Sequence, residues 1–346
     1  MGFRRRRRVG DDARVKLLVT GGAGFIGSNF VRHVLREHPD DSVVNLDKLT
    51  YAGNPANHAD LERDPRYTFV RGDICDAALV RDALRGVDAV VNFAAESHVD
   101  RSLVEPDAFL RTDVFGVFTL LEAVRDLKIP RLLHISTDEV YGSVSTGSST
   151  ENDPLRPSNP YSASKASGDL LALSYWKTHG VPVLITRSSN NFGPNQYPEK
   201  VVPLFITNAL DDQPLPLYGD GRNVRDWLYV LDNCAGIDLV LRRGRDGEVY
   251  NIGGGHEVEN VVLTRDILRL TGKPEALIRR VTDRPGHDRR YSVDSRKIGQ
   301  LGWAPRHPFA SALESTVRWY REHEAWWRPL KSGEFRSWYE RQYANR

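Results

Sequence analysis

Sulfur is scarce in this chain of 346 residues, which has two cysteines, Cys75 and Cys234, and one methionine. Two thiols without metal-ligand spacing exclude a disulfide framework and a cysteine-rich metal site, and they fit a reducing cytoplasm. Long apolar runs are missing as well. None approaches the roughly 18 residues that a spanning helix needs, so no membrane partner is expected. Charge of one sign is also lacking, since 48 Lys and Arg stand against 46 Asp and Glu for a formal net charge of +2. Such a balance points to no nucleic-acid partner unless the basic residues cluster. The one dense cluster, Arg4 to Arg8, is followed by Gly10, Asp11 and Asp12 instead of the apolar stretch of a secretory signal, and reads as a solvated tail.

What is present is a soluble composition, 27% charged and 40% hydrophobic, in a chain long enough for one large domain carrying a smaller one. From Val15 onward, short apolar runs alternate with longer amphipathic ones, the pattern of strand and helix units that build a parallel sheet. Strands are expected at 16–20, 42–47, 67–71, 89–93, 132–136 and 183–187, and helices at 24–37, 107–127 and 162–179. The expected fold class is α/β: a doubly wound Rossmann-type parallel sheet with a smaller, discontinuous α/β C-terminal substrate domain. After Arg187 prolines punctuate short elements, while 231–243 and 248–252 read as one more helix and strand returning to the first sheet. The boundaries that follow are a disordered basic tail over 1–13 and a dinucleotide-binding domain over 14–187, with about 230–257 returning to it. A nucleotide-sugar-binding domain takes 188–229 and 258–346. Residues 142–149 read as a flexible loop.

Thr20-Gly21-Gly22-Ala23-Gly24-Phe25-Ile26-Gly27 follows the first expected strand and opens a helix. Small residues there let the backbone approach a pyrophosphate, whose charge sits at the helix N-terminus. The next strand ends at Asp47, twenty residues beyond Gly27, where a carboxylate can accept hydrogen bonds from both ribose hydroxyls of NAD and would repel a 2′-phosphate. Lys48 beside it argues the other way. Asp73 and Ile74 after the third strand, and Ala94 and Ala95 after the fourth, would line the same crevice.

Tyr161 and Lys165, four apart at the start of an expected helix, share one face. A neighbouring ammonium and a positive nicotinamide would both favour the phenolate over the phenol, whose ordinary pKa of about 10 makes it a poor base. Thr20 to Gly27 together with Tyr161-Ser162-Ala163-Ser164-Lys165 resembles the extended short-chain dehydrogenase/reductase family, which works on nucleotide sugars. By that resemblance Thr137 is the small hydroxyl residue beside the reacting sugar, and two carboxylates, Asp138 and Glu139, follow it. An epimerase only removes and returns hydride at C4, whereas a dehydratase must also strip the C5 proton and protonate the departing C6 hydroxyl. The Thr-Asp-Glu triplet resembles the branch of the family that dehydrates dTDP-glucose.

Segments spread from residue 15 to about 325 agree with that branch: 47–54, 94–102, 190–194, 198–200, 225–227 and 284–288. The link from Tyr141 to Tyr161 departs from it, being shorter than in many members. The resemblance implies that Tyr161 takes the C4 hydroxyl proton as hydride passes to NAD, with Lys165 and Thr137 assisting. Glu139 then removes the C5 proton, Asp138 protonates the C6 hydroxyl, and hydride returns to C6, so that NAD is regenerated each turnover. It also extends the cofactor set to Lys48, Thr50, Gly53, Ser97, Thr112 and Asn190. The substrate set it implies is Ser97, His98, Thr137, Asn191, Lys200, Arg225, Asn251, Arg284 and His287, with the cations on the diphosphate. No metal cluster is expected. A homodimer paired through the helices at 107–127 and 162–179 is a further implication. Two other readings stay open: a nucleotide-sugar 4-epimerase or decarboxylase, and an NAD-binding regulator without chemistry.

Overall fold

The computed structural model describes residues 14–343; the Arg4–Arg8 tail lies outside the described residues. Twelve strands occur among them: β1 (Lys16–Thr20), β2 (Ser42–Asp47), β3 (Tyr67–Arg71), β4 (Ala89–Asn92), β5 (Leu132–Thr137), β6 (Val183–Ser188), β7 (Asn190–Phe192), β8 (Leu215–Tyr218), β9 (Val224–Tyr229), β10 (Val249–Ile252), β11 (Glu257–Glu259) and β12 (Ile278–Val281). Seven form one sheet in the order β10-β6-β5-β4-β1-β2-β3, with every pairing parallel. The sequences KLLVT of β1 and AVVN of β4 are apolar on both faces because helices cover both sides of the sheet. Strand order reverses between β1 and β4, and the crevice of such a fold opens at their carboxyl ends.

On one face, Val19, Leu133 and Ile252 pack with Phe30 and Val34 of helix Phe25–Glu37 and with Ile237 and Leu241 of helix Val230–Arg243. On the other, Leu18, Val90 and Ile185 pack with Val80, Leu120, Leu121 and Ala172 from helices Ala77–Ala83, Val117–Leu127 and Pro160–His179. Each fully buried aliphatic side chain contributes about 1.5–3 kcal/mol to this packing. Helix Val230–Arg243 and β10 thus close the β6 edge of the sheet. A third apolar cluster, including Phe192, Phe205, Trp227, Leu263, Tyr320 and Trp327, joins the small sheet β11-β9-β7 and the pair β12-β8 to helices of the C-terminal half.

Two expectations are corrected. The helix expected at 107–127 is broken into Pro106–Phe109, a π-helical turn Leu110–Gly116 and Val117–Leu127. Gly116 is pressed against Ile74, whose Cδ1 would lie 2.5 Å from an added Cβ, and Asp113 within the turn is buried towards the sheet. Residues 142–149 are tied down: Val144 N–H donates to Arg290 O, Arg290 donates to Gly147 O at 2.8 Å, and Ser149 bridges Val293.

Candidate active site

The turn after β1 is shaped by what its glycines avoid. Gly21 has φ +70°, and a Cβ on it would lie 2.6 Å from the Ala94 nitrogen. On Gly27 a Cβ would lie 2.3 Å from Gly21 O, so the helix starts in direct contact with the turn. That helix has Gly24 at its N-cap and no side-chain cap, which leaves first-turn N–H groups for a ligand. Asp47, buried at the end of β2, accepts Ala23 N–H at 2.9 Å and Leu49 N–H at 2.8 Å, which aims its carboxylate across the mouth of the turn. Burial pushes its pKa up while these two bonds oppose the shift. Lys48 pairs with Asp73 at 2.8 Å and so is engaged away from a 2′-phosphate.

One cavity continues from this turn to the carboxyl ends of β4, β5 and β6. Its lining includes Gly21, Gly24, Phe25, Ile26, Gly27, Asp47, Lys48, Thr50, Gly53, Asp73, Ile74, Ala94, Ala95, Ser97, Thr112, Thr137, Asp138, Glu139, Tyr161, Lys165, Asn190, Asn191 and Lys200. The turn without side chains, the uncapped helix start and the aimed Asp47 fit a dinucleotide: pyrophosphate at Gly21 to Gly27, ribose at Asp47.

At the far end β5 delivers Thr137, Asp138 and Glu139. Thr137 Oγ1 donates to Asp138 Oδ1 at 3.2 Å, accepts Glu139 N–H at 3.2 Å and hydrogen-bonds Tyr161. Tyr161 stands in the first turn of helix Pro160–His179, whose start is held by a capping box between Asn159 and Ser162. One turn on, Lys165 is buried and its Nζ donates to Ile135 O at 2.8 Å.

Electrostatics separate these groups. Asp138 is 2% exposed, and burial, then the nearby Glu139 and Asp226, hold its carboxyl well above the usual carboxylate range; its Oδ2 has no partner. Burial also raises the Tyr161 phenol well above its ordinary value, and the charges of Glu139 and Asp113 push the same way. The expected phenolate is therefore not favoured by the chain's own groups, first because the ring is buried and then because of these charges.

Sequence reasoning missed Glu96, Gln196, Tyr197 and Glu199, which also line the cavity. Burial and Asp113 push Glu96 up to about 7, and burial pushes Asp113 up to about 6. Asp113 accepts Ser164 Oγ at 2.7 Å and Glu96 N–H at 3.1 Å. Glu96 and Glu199 lay within matching segments, but nothing in their spacing marked them.

The expected substrate residues divide. Ser97, Asn191 and Lys200 line the cavity, and Lys200 Nζ donates to Ser97 O. His98, Arg225, Arg284 and His287 do not line it. Arg225 and Arg284 nonetheless interact with Glu139 through their charge, which places them near it. Burial and these two guanidinium groups lower His287 to about 4, so it offers a neutral ring, not a third cation. Asn251 does not line it either. It is fully buried in β10, where it accepts Tyr141 Oη at 2.8 Å and donates to Ser149 O at 3.1 Å, so its side chain is spent inside the sheet edge.

Comparison with known proteins agrees with this geometry. The family model described as GDP-mannose 4,6 dehydratase matches residues 18–316. A dTDP-glucose 4,6-dehydratase of Streptomyces niveus is 54% identical over 323 residues, covering 92% of this chain and 96% of the relative. Among solved structures, DesIV, a dTDP-glucose 4,6-dehydratase from Streptomyces venezuelae with NAD bound, superposes with a TM-score of 0.90 at 55% identity, covering 92% of this chain and 100% of that one. A dTDP-glucose 4,6-dehydratase from Bacillus anthracis in complex with NAD gives 0.86 at 49% identity, with 92% and 100% covered.

Proposed function

Because the chain belongs to the GDP-mannose 4,6-dehydratase family, we propose that it converts dTDP-glucose to dTDP-4-keto-6-deoxyglucose and water for deoxysugar biosynthesis. The observation that carries this reading is the adjacent carboxyl pair beside Thr137 and Tyr161, one member of which burial shifts well above the usual carboxylate range. NAD is the cofactor, and the residues that would hold it are those of the glycine turn, Asp47, Asp73, Ile74, Ala94, Ala95 and Thr112. Bound there, it supplies an acceptor for the C4 hydride, a store from which that hydride reaches C6, and a positive charge that favours the Tyr161 phenolate.

Tyr161 accepts the C4 hydroxyl proton, and the Thr137 hydroxyl, hydrogen-bonded to it, orients the C4 oxygen. Lys165, whose Nζ donates to Ile135 O, stands one helical turn beyond Tyr161 and assists it. A 4-ketone acidifies the C5 hydrogen, and Glu139 removes it as a proton. Asp138 gives its own proton to the C6 hydroxyl, which leaves as water; C5 is reprotonated afterwards. Two carboxyls in different surroundings divide the base and acid roles. Lys200, Arg225 and Arg284 would neutralise the diphosphate, with Asn191 and His287 adding neutral contacts.

A homodimer fits the exposed apolar side chains of Leu110, Phe115, Phe118 and Leu170, which lie on the segments 106–127 and 160–179. No helix among the described residues is long and apolar enough to cross a membrane, and a cytoplasmic setting suits a nucleotide-sugar substrate.

Turnover on dTDP-, UDP- and CDP-glucose tests the reading. A 4-keto-6-deoxy product formed fastest from the thymidine nucleotide is the expected result. A galactose product would establish an epimerase instead, and no turnover a binding module.

A further inference from the structure

Helix Glu334–Tyr343 lies beyond the residues matched by the family model, yet its Phe335 packs against Tyr197 of the cavity lining. In its last turn Gln342 Nε2 donates to Tyr218 Oη at 3.0 Å, and Tyr343 stacks on the same ring with centroids 6.1 Å apart and hydrogen-bonds its hydroxyl. Tyr218 Oη donates in turn to Asp100 Oδ2 at 3.0 Å. Asp100 is 5% exposed, and its other oxygen accepts Arg284 NH1 at 3.2 Å.

A phenolic hydroxyl has one hydrogen. By donating into the lone pairs of Tyr218, Gln342 directs that hydrogen at Asp100, and Asp100 fixes one edge of the Arg284 guanidinium through a charge-assisted bond. Arg284 Nε is buried and has no partner, so a donor remains on the fixed group for an incoming anion. One turn earlier the Trp338 ring meets the His98 ring edge-on at 4.9 Å and sits 5.2 Å from the Arg101 guanidinium, which binds the same helix to the chain segment carrying Asp100.

We propose that Gln342 and Tyr218 are positioning residues for the substrate diphosphate, acting through Asp100 on Arg284, so that the C-terminal helix sets anion affinity without touching the substrate. The proposal rests on the reading of Arg284 as a diphosphate cation. Preorganising a cation in this way lowers what binding must spend on ordering it.

The test measures dTDP affinity by calorimetry, and KM and kcat on dTDP-glucose, for the NAD-bound enzyme and its variants. Arg284→Gln is expected to weaken dTDP by about tenfold or more. Tyr218→Phe and Gln342→Leu should each weaken dTDP and raise KM about three- to tenfold, the range of one lost hydrogen bond. Their kcat should stay within about twofold, the split expected when only ground-state binding is affected. Placed in the Arg284→Gln background, neither should weaken dTDP further. If Arg284→Gln binds dTDP normally, the cation reading fails and the proposal with it. If Arg284→Gln weakens binding but the other two do not, or their losses persist undiminished in its background, the relay is overturned while the cation reading stands.

Discussion

Burial and a like charge nearby both push a carboxyl group's pKa up, and Asp138 has both. Its neighbour Glu139 hangs from the same short turn but reaches Tyr291 Oη at 3.4 Å and the charge of Arg225 and Arg284. Adjacency was plain in the sequence. That burial would raise Asp138 was not, because that depends on what the later chain brings against its side chain. Two linked outcomes follow. Glu139→Gln should abolish exchange of the C5 proton with solvent and lower kcat by about 100-fold or more, with C4 oxidation still detectable as enzyme-bound NADH absorbance. Asp138 acts as an acid only while protonated, so wild-type kcat should decline as pH rises through its raised pKa. Asp138→Asn should lose most of the rate together with that alkaline decline, and a variant that kept both would remove Asp138 from the acid role.

Elements position these residues through backbone contacts that leave little room for substitution. The glycine turn could be recognised in the sequence because the reason for it is local: a strand, a tight turn and a helix within a dozen residues. Gly27 extends that reason into three dimensions, since the helix touches Gly21 O at this position. Gly27→Ala should push the helix off the turn and yield protein that purifies with little NAD, seen in the ultraviolet absorbance ratio, while circular dichroism stays close to wild type. Retention of a full complement of cofactor would show that the helix start does not form the pyrophosphate site. The π-helical turn Leu110–Gly116 had no such local signature. Its residues suit an ordinary helix, and the irregularity arises where Gly116 meets Ile74 and Asp113 meets Ser164, contacts between elements far apart in sequence.

On the scale of the whole molecule, the exposed apolar side chains gather on the two helical segments that also cover one face of the large sheet. Phe115 and Phe118 touch each other with ring centroids 6.0 Å apart, and Leu170 is 58% exposed on the next long helix, too large an apolar surface to face water without cost. The double substitution Phe115→Asp and Leu170→Asp should give a monomer in sedimentation velocity at micromolar concentration, where the wild type is expected to sediment as a dimer. A wild type that sediments as a monomer would remove the interface altogether.

By itself the sequence determined the parallel α/β sheet and the dinucleotide turn, and it supplied the proposed residues of the reacting centre. Periodicity, turn chemistry and motif spacing act over a few residues and need no tertiary partner to be read. Only the tertiary structure decided the raised pKa of Asp138, the raised phenol of Tyr161, the neutrality of His287 and the enclosure of the Asn251 side chain in the sheet edge. The tie from the C-terminal helix to Arg284 was likewise decided there. Each of these turns on burial or on charge brought close by segments distant in the chain, and the cost of desolvating a group is a property of its final surroundings.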